Sequence, residues 1–427
     1  MVDVAPFRAL RYRDLGNLAE VTAPPYDAID ASFSERLHAR SPYNIVRLEL
    51  DAKGPLEASN SRRYETAAAT YARWRRKGIL ALDEEPALYV YEQAYEHGGA
   101  SERQRGLLVA LRLQPWEAQV VLPHERVFPG PVEDRLRLLE ALPVNTSPIY
   151  LLAEHEPEQV TSLLEAVTTT PPLAVFDDPD EGVGHKLWRV TDRDAHARVR
   201  VAYAGQRLLM ADGHHRYTTA LEYRSGQPPD KTAERGDRIL AFVVGGEGPV
   251  VRPSHRLVGS LPADFEERLH TLGFVGVRVV PRLAPAVGAV IAALEDAPPP
   301  PGESRPAFGL LTRDWIGLVV IQHPERVAEV CATLPQALRG VDVALLQRVL
   351  NAALDIDDRS DQLGFTFDAD QAAKEVAAGR AAGLFLVRPV PIAQVWTVAK
   401  AGLLLPPKST SFFPKPRTGL VLRPLGE

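Results

Sequence analysis

Arg207-Leu208-Leu209-Met210-Ala211-Asp212-Gly213-His214-His215-Arg216-Tyr217 passes from an apolar run through an Asp-Gly step into a polar segment. The pattern predicts a short strand over 207–210, a tight turn, and a helix over 217–224. A strand that hands over directly to a helix points to a sheet with packed helices. It also aims backbone N–H groups and the positive end of a helix dipole at one place, which favours an anion. Gly213 lets the backbone approach a ligand. Arg216 adds a forked, permanent cation suited to phosphate or carboxylate. His214 and His215 can move protons near neutral pH, and Asp212 can accept a proton, orient a histidine or face a metal. A plainer reading makes Asp212 a helix cap and the histidines packing residues.

Outward from this turn, the chain alternates strand and helix patterns. Ile45–Leu50 alternates apolar and polar residues and reads as a strand, and Ser61–Lys77 reads as a helix. Leu88–Tyr95 and Arg105–Leu113 read as a hairpin around Gly98-Gly99, and Asp134–Leu142 as a short helix. Ile149–Leu152 and the apolar Ile239–Val244 read as strands, the second of them central. Pro298–Pro301 reads as a stiff polyproline-like spacer. Phe412-Phe413 argues that the tail packs rather than frays. The expected fold class is α+β, with mixed sheets and flanking helices. The expected division is an N-terminal α+β domain over 1–260 carrying the site, a smaller α/β domain over 261–400, and a segment over 401–427 that packs back toward the site.

Composition narrows the function. The chain has 427 residues, 45% hydrophobic and 24% charged, with 49 basic and 55 acidic residues giving a net charge of −6. This is ordinary globular composition, and the charge argues against broad nucleic-acid binding. One cysteine, Cys331, excludes a disulfide framework and any Cys-cluster metal site. Neither a secretory signal nor a long apolar run is visible, so a cytoplasmic protein with no membrane partner is expected. Phosphate-loop, dinucleotide-turn, zinc-helix and nucleophile-elbow motifs are absent from the sequence. Adjacent His214 and His215 point apart in extended chain, which disfavours zinc; carboxylates with phosphate oxygens would take Mg²⁺ or Mn²⁺.

Other segments carry candidates. Pro123-His124-Glu125-Arg126 offers His124 and Glu125 as acid/base groups, and Arg135 follows as an anion donor. Pro406-Pro407-Lys408-Ser409-Thr410-Ser411-Phe412-Phe413-Pro414-Lys415 combines basic Lys408 and Lys415 with hydroxyls such as Ser409 on a stiffened loop. Asp27, in Pro24-Pro25-Tyr26-Asp27, and Pro253-Ser254-His255-Arg256 complete the set.

On these residues the chain resembles the bacterial and archaeal family known as domain of unknown function 1015. The resemblance rests on Ala23–Asp27, Tyr43–Leu50, Pro123–Glu125, Asp134-Arg135, Ser147-Pro148-Ile149, Ala211–Tyr217, Ser254–Leu257 and Pro406–Leu420. Val127 departs from the family pattern, where a Thr is expected after the His-Glu pair. The turn at 212–216 also resembles the phosphate-binding turn of the ParB/sulfiredoxin-like fold, which includes nucleotide hydrolases and free-serine kinases. Family members are often encoded beside serine-biosynthesis enzymes, which implies serine or phosphoserine as substrate. The resulting expectation is a phosphotransferase or phosphohydrolase acting on a small hydroxylated metabolite, with ATP or ADP as donor or acceptor. Asp212, His214, His215, His124 and Glu125 are the expected catalytic groups. Gly213, Arg216, Lys408, Ser409, Arg135 and Asp27 are the expected substrate- or phosphate-binding groups. Two alternatives stand beside it: a nucleotide- or anion-binding regulatory protein without turnover, and a structural or interaction protein.

Overall fold

The computed structural model describes residues 1–52, 61–227, 236–245, 248–280, 286–295, 306–358 and 360–426. The expected spacer at Pro298–Pro301 lies outside them. The chain divides into two compact units: 1–123, 127–250 and 414–427 form the first, and 124–126 with 251–413 the second.

The first unit is built on a nine-stranded mixed sheet. Its strands are β1 (Val4–Ala5), β2 (Leu88–His97), β3 (Ala100–Arg112), β4 (Val121–Leu122), β5 (Ile149–Ala153), β6 (Ala174–Asp177), β7 (Gly184–Val190), β8 (Leu208–Asp212) and β9 (Arg238–Val244). The order is β4-β8-β5-β9-β3-β2-β7-β6, with β1 added on β3. β9 is central, as its apolar run predicts: it pairs parallel with β5 and antiparallel with β3. Helices α1 (Ala31–Arg40), α2 (Ser61–Arg76), α3 (Pro129–Ala141), α4 (Glu158–Thr168), α5 (Arg193–Ala204) and α6 (His214–Ser225) flank it. Leu107, Val109, Leu151, Val199, Met210, Tyr217 and Val243 lie in its buried core. The architecture is therefore α+β with a large mixed sheet and flanking helices.

Local chemistry explains where the elements begin. β2 and β3 are joined by the two-residue turn Gly98-Gly99, with φ of 59° and 80°. Both angles are left-handed, so glycine is the residue that closes this hairpin without strain. The strand expected at Ile45–Leu50 is instead a helical turn over Val46–Glu49. Asn44 causes it: its side-chain oxygen accepts from the Val46 N–H at 3.0 Å, and its amide donates to the Glu20 and Thr22 carbonyls. Such side-chain bonds compete with strand pairing. α3 starts at Pro129, earlier than the Asp134 expected, because Pro fits the first helical position.

The second unit has a six-stranded sheet of its own. Its strands are β10 (His255–Val258), β11 (Phe274–Val280), β12 (Pro306–Thr312), β13 (Ile316–Ile321), β14 (Leu363–Thr366) and β15 (Gly383–Leu386), in the order β11-β13-β12-β15-β10-β14. Its longest helix among the described residues, α7, spans Asp342–Leu354. Val290, Ile316, Val376, Leu384 and Leu386 share a core here. Among the described residues no helix is long and apolar enough to cross a membrane.

Candidate functional site

β8 ends at Asp212, and α6 begins at His214, three residues before the expected start. Gly213 makes the join. Its φ is +97°, and a Cβ there would sit 2.9 Å from the Ile149 side chain and 3.2 Å from the Arg216 guanidinium. Glycine is thus required by conformation and by packing against the protein's own residues. No side chain caps this helix start.

Charged groups gather at the corner. Asp212 Oδ2 pairs with Arg216, while Asp212 Oδ1 accepts from Lys415 Nζ at 2.5 Å. Lys415 also lies 3.8 Å from Asp27. Burial disfavours its charge, but the Asp212 and Asp27 carboxylates prevail and hold the ammonium above the ordinary lysine range. Arg216 Nη1 donates to Ser147 Oγ at 2.6 Å and to the Pro148 carbonyl at 2.5 Å. Its Nε–H is buried with no acceptor among the described residues. The Arg216 side chain borders a cavity of about 60 Å³, together with Glu49, Arg135, Thr146, Ser147 and Thr219. His214 is buried. His215 accepts a hydrogen bond from the Phe128 N–H at 3.1 Å and stacks on the Phe128 ring.

Arg135 is committed elsewhere. Its guanidinium donates to Asp134 and to Glu49 Oε2 at 2.7 Å, and lies 4.2 Å from the Tyr26 ring centre. It anchors α3 and has little left to offer an anion.

His124, Glu125, Lys408 and Ser409 belong to the second unit and lie together within it. His124 Nε2 lies 2.7 Å from Thr410 Oγ1. Glu125 Oε1 accepts from the Ser409 N–H at 3.0 Å, the Thr410 N–H at 3.3 Å and Thr410 Oγ1 at 3.2 Å. Lys408 is exposed and adopts a left-handed φ of 54°. Its carbonyl, with that of Pro407, accepts from buried Arg256. Burial lowers the Arg256 pKa to about 10, against the opposing pull of Glu125. The loop at 406–410 is thus folded around Glu125 and Arg256.

The sequence pattern points to Lys408 as a phosphate-binding lysine; in the first unit, Lys415 is the lysine that meets Asp212. Both lie in the same Pro-rich segment, and spacing alone does not separate them. Ser147 was recognisable only as part of a shared motif.

A resident metal does not fit this corner. Asp27 and Asp212 are two carboxylates, but the Lys415 ammonium already stands against both. Among the described residues no three His, Cys, Asp or Glu side chains are grouped to hold a cation. The space beside Arg216, about 60 Å³, has room for a few waters or a small anion.

The family described as "protein of unknown function (DUF1015)" matches residues 4–344. The chain belongs to this family. Most of the shared segments of this DUF1015 protein fall inside the match, and Pro406–Leu420 lies beyond it. No curated protein matches the sequence significantly. Among solved structures, a free serine kinase in complex with AMP is similar at 13% identity and a TM-score of 0.34, over 69% of this chain and 83% of that one. SbnI with a C-terminal truncation, from Staphylococcus aureus, is similar at 11% identity and a TM-score of 0.35, over 70% and 81%. A conserved hypothetical protein from Pyrococcus furiosus shows 14% identity and a TM-score of 0.33, over 70% and 90%. At such values these likenesses decide nothing about activity.

Proposed function

We propose that this DUF1015 protein transfers a phosphoryl group to or from a small hydroxylated metabolite, serine or phosphoserine being the first candidates. The observation that carries this reading is Arg216: a partly buried guanidinium at a helix start, with a buried, unsatisfied Nε–H and a second cation, Lys415, sharing its carboxylate partner. A buried donor without an acceptor is costly, and an anion oxygen would satisfy it. The proposal treats the corner as a ParB/sulfiredoxin-like anion-binding turn, with Gly213, Arg216 and Lys415 neutralising charge on the moving group.

Asp212 holds the two cations in place. Both its oxygens are engaged, so proton removal falls to Asp27, the more exposed carboxylate beside Lys415. In the kinase direction the metabolite oxygen bonds to the terminal phosphorus, the bond to the nucleotide breaks, and the hydroxyl proton passes to Asp27. In the phosphatase direction a water oxygen bonds to the phosphorus of the phosphorylated metabolite, the ester P–O bond breaks, and the proton that Asp27 takes from the water passes to the leaving metabolite oxygen. ATP or ADP is the proposed nucleotide, and any divalent cation would arrive on its phosphates. The reading of anion binding without turnover draws on the same engagement of Asp212, which leaves fewer free bases.

The test is phosphorus NMR of the purified protein with Mg²⁺ and either serine plus ATP or ADP, or phosphoserine. New phosphorus resonances are expected with one set. Lys415→Met and Asp27→Asn are each expected to lower turnover about 100-fold or more. Unchanged spectra with both sets, together with nucleotide binding in calorimetry, would replace the enzyme reading with the regulatory one.

A further inference from the structure

The second unit contains a cavity of about 320 Å³ that the phosphoryl-transfer reading does not use. One wall is α7. Ala344, Gln347, Arg348 and Asn351 recur at three- and four-residue spacing, so they share one face of that helix. Leu334, Leu338 and Leu405 supply buried apolar surface. Arg126 and Asp358 also line it and face each other at 3.6 Å.

Arg348 stands apart from these groups. It is half-buried, it lines the cavity, and among the described residues it has no hydrogen-bond or ion-pair partner. A guanidinium offers five donors in a rigid fork that matches a carboxylate. Partial removal of water around it raises the value of such a pairing. The space is open on one side, with polar and apolar walls in similar share, and a concave site in which a few polar groups converge beside apolar surface can orient a small molecule.

We propose that this cavity binds a small carboxylate with an apolar body, its carboxylate on the Arg348 guanidinium and its body against Leu334, Leu338 and Leu405. Asp357 and Asp358 also line the cavity. Their charge favours a monoanion over a phosphate dianion, which separates this ligand from the one assigned to Arg216. The site is independent of the chemistry proposed at the corner.

Calorimetric titration of the intact protein with phenylacetate, and with its neutral isostere phenylacetamide, tests it. Phenylacetate is expected to bind, and phenylacetamide to bind at least about tenfold more weakly. Arg348→Gln is expected to weaken phenylacetate about tenfold or more and to leave phenylacetamide unchanged. Phosphoryl-transfer activity, where present, is expected to be unaltered in that variant. Four results would each overturn the proposal: no binding of phenylacetate at about 10 mM, equal affinity for the amide, undiminished affinity in Arg348→Gln, or tighter binding of inorganic phosphate at this arginine. The comparison of acid with amide uses the unaltered protein, so it decides the matter even where the variant folds poorly.

Discussion

His255 is 1% exposed, and its Nδ1 accepts a hydrogen bond from the Val387 N–H at 3.2 Å, tying β10 to the end of β15. Burial, and next the Arg256 charge, lower its pKa to about 4. The unfolded chain protonates the same imidazole near its ordinary value of about 6.5. Between these two values the unfolded state binds more protons, so stability falls as pH falls from about 6.5 to 4 and changes little below that. At pH 5 the loss should be about 2 kcal/mol for this residue. Hydrogen exchange at the Val387 amide, corrected for intrinsic rate, should show protection dropping across this window. His255→Asn should flatten the dependence. Unaltered protection at pH 5 would mean that the histidine is not held neutral by the fold. His185 adds an effect of the same sign in the first unit, since burial and then Arg417 push its pKa well down.

The join between β8 and α6 is the element on which the functional reading turns, and Gly213 is its sensitive point. Gly213→Ala should cost about 2–4 kcal/mol, from the left-handed backbone and from contact with Ile149 and Arg216. Urea unfolding would measure it, and a cost under about 0.5 kcal/mol would show that the turn relaxes freely. Strand, turn and helix were legible in Arg207–Tyr217 because the apolar run, the Asp-Gly step and the helical period lie side by side in sequence. The start of α6 was less legible. His214-His215-Arg216 carries no helix signal of its own, and the helix extends through these residues because Gly213 sets the backbone. The misread strand at Ile45–Leu50 has the same kind of origin, since the Asn44 side chain overrides an alternating pattern. Which lysine meets Asp212 was not legible at all. Lys408 and Lys415 share one segment, and only the packed chain directs Lys415 inward.

On the scale of the molecule, each unit has its own core, and the chain's last residues, 414–427, belong to the first. Arg417 is the residue that fastens them. It is 1% exposed and pairs at 2.7 Å with Asp178, whose side chain is fully buried. A pair so deep gains little over an apolar substitute, but removing one partner strands a charge in the interior. Arg417→Met should therefore lower the stability of the first unit by about 3–5 kcal/mol. The double variant with Asp178→Leu should recover most of that loss, less the bond that Asp178 accepts from the Asp180 N–H. The second unit's transition should stay where it is in both variants. Trp74, Trp116 and Trp188 lie in the first unit, and Trp315 and Trp396 in the second. Replacing the latter two by Phe leaves fluorescence that reports the first unit alone. A single variant no less stable than the double would show that Asp178 finds water or another cation once Arg417 is gone. The tail would then be held by apolar residues such as Leu420 and Leu422 rather than by its buried charge.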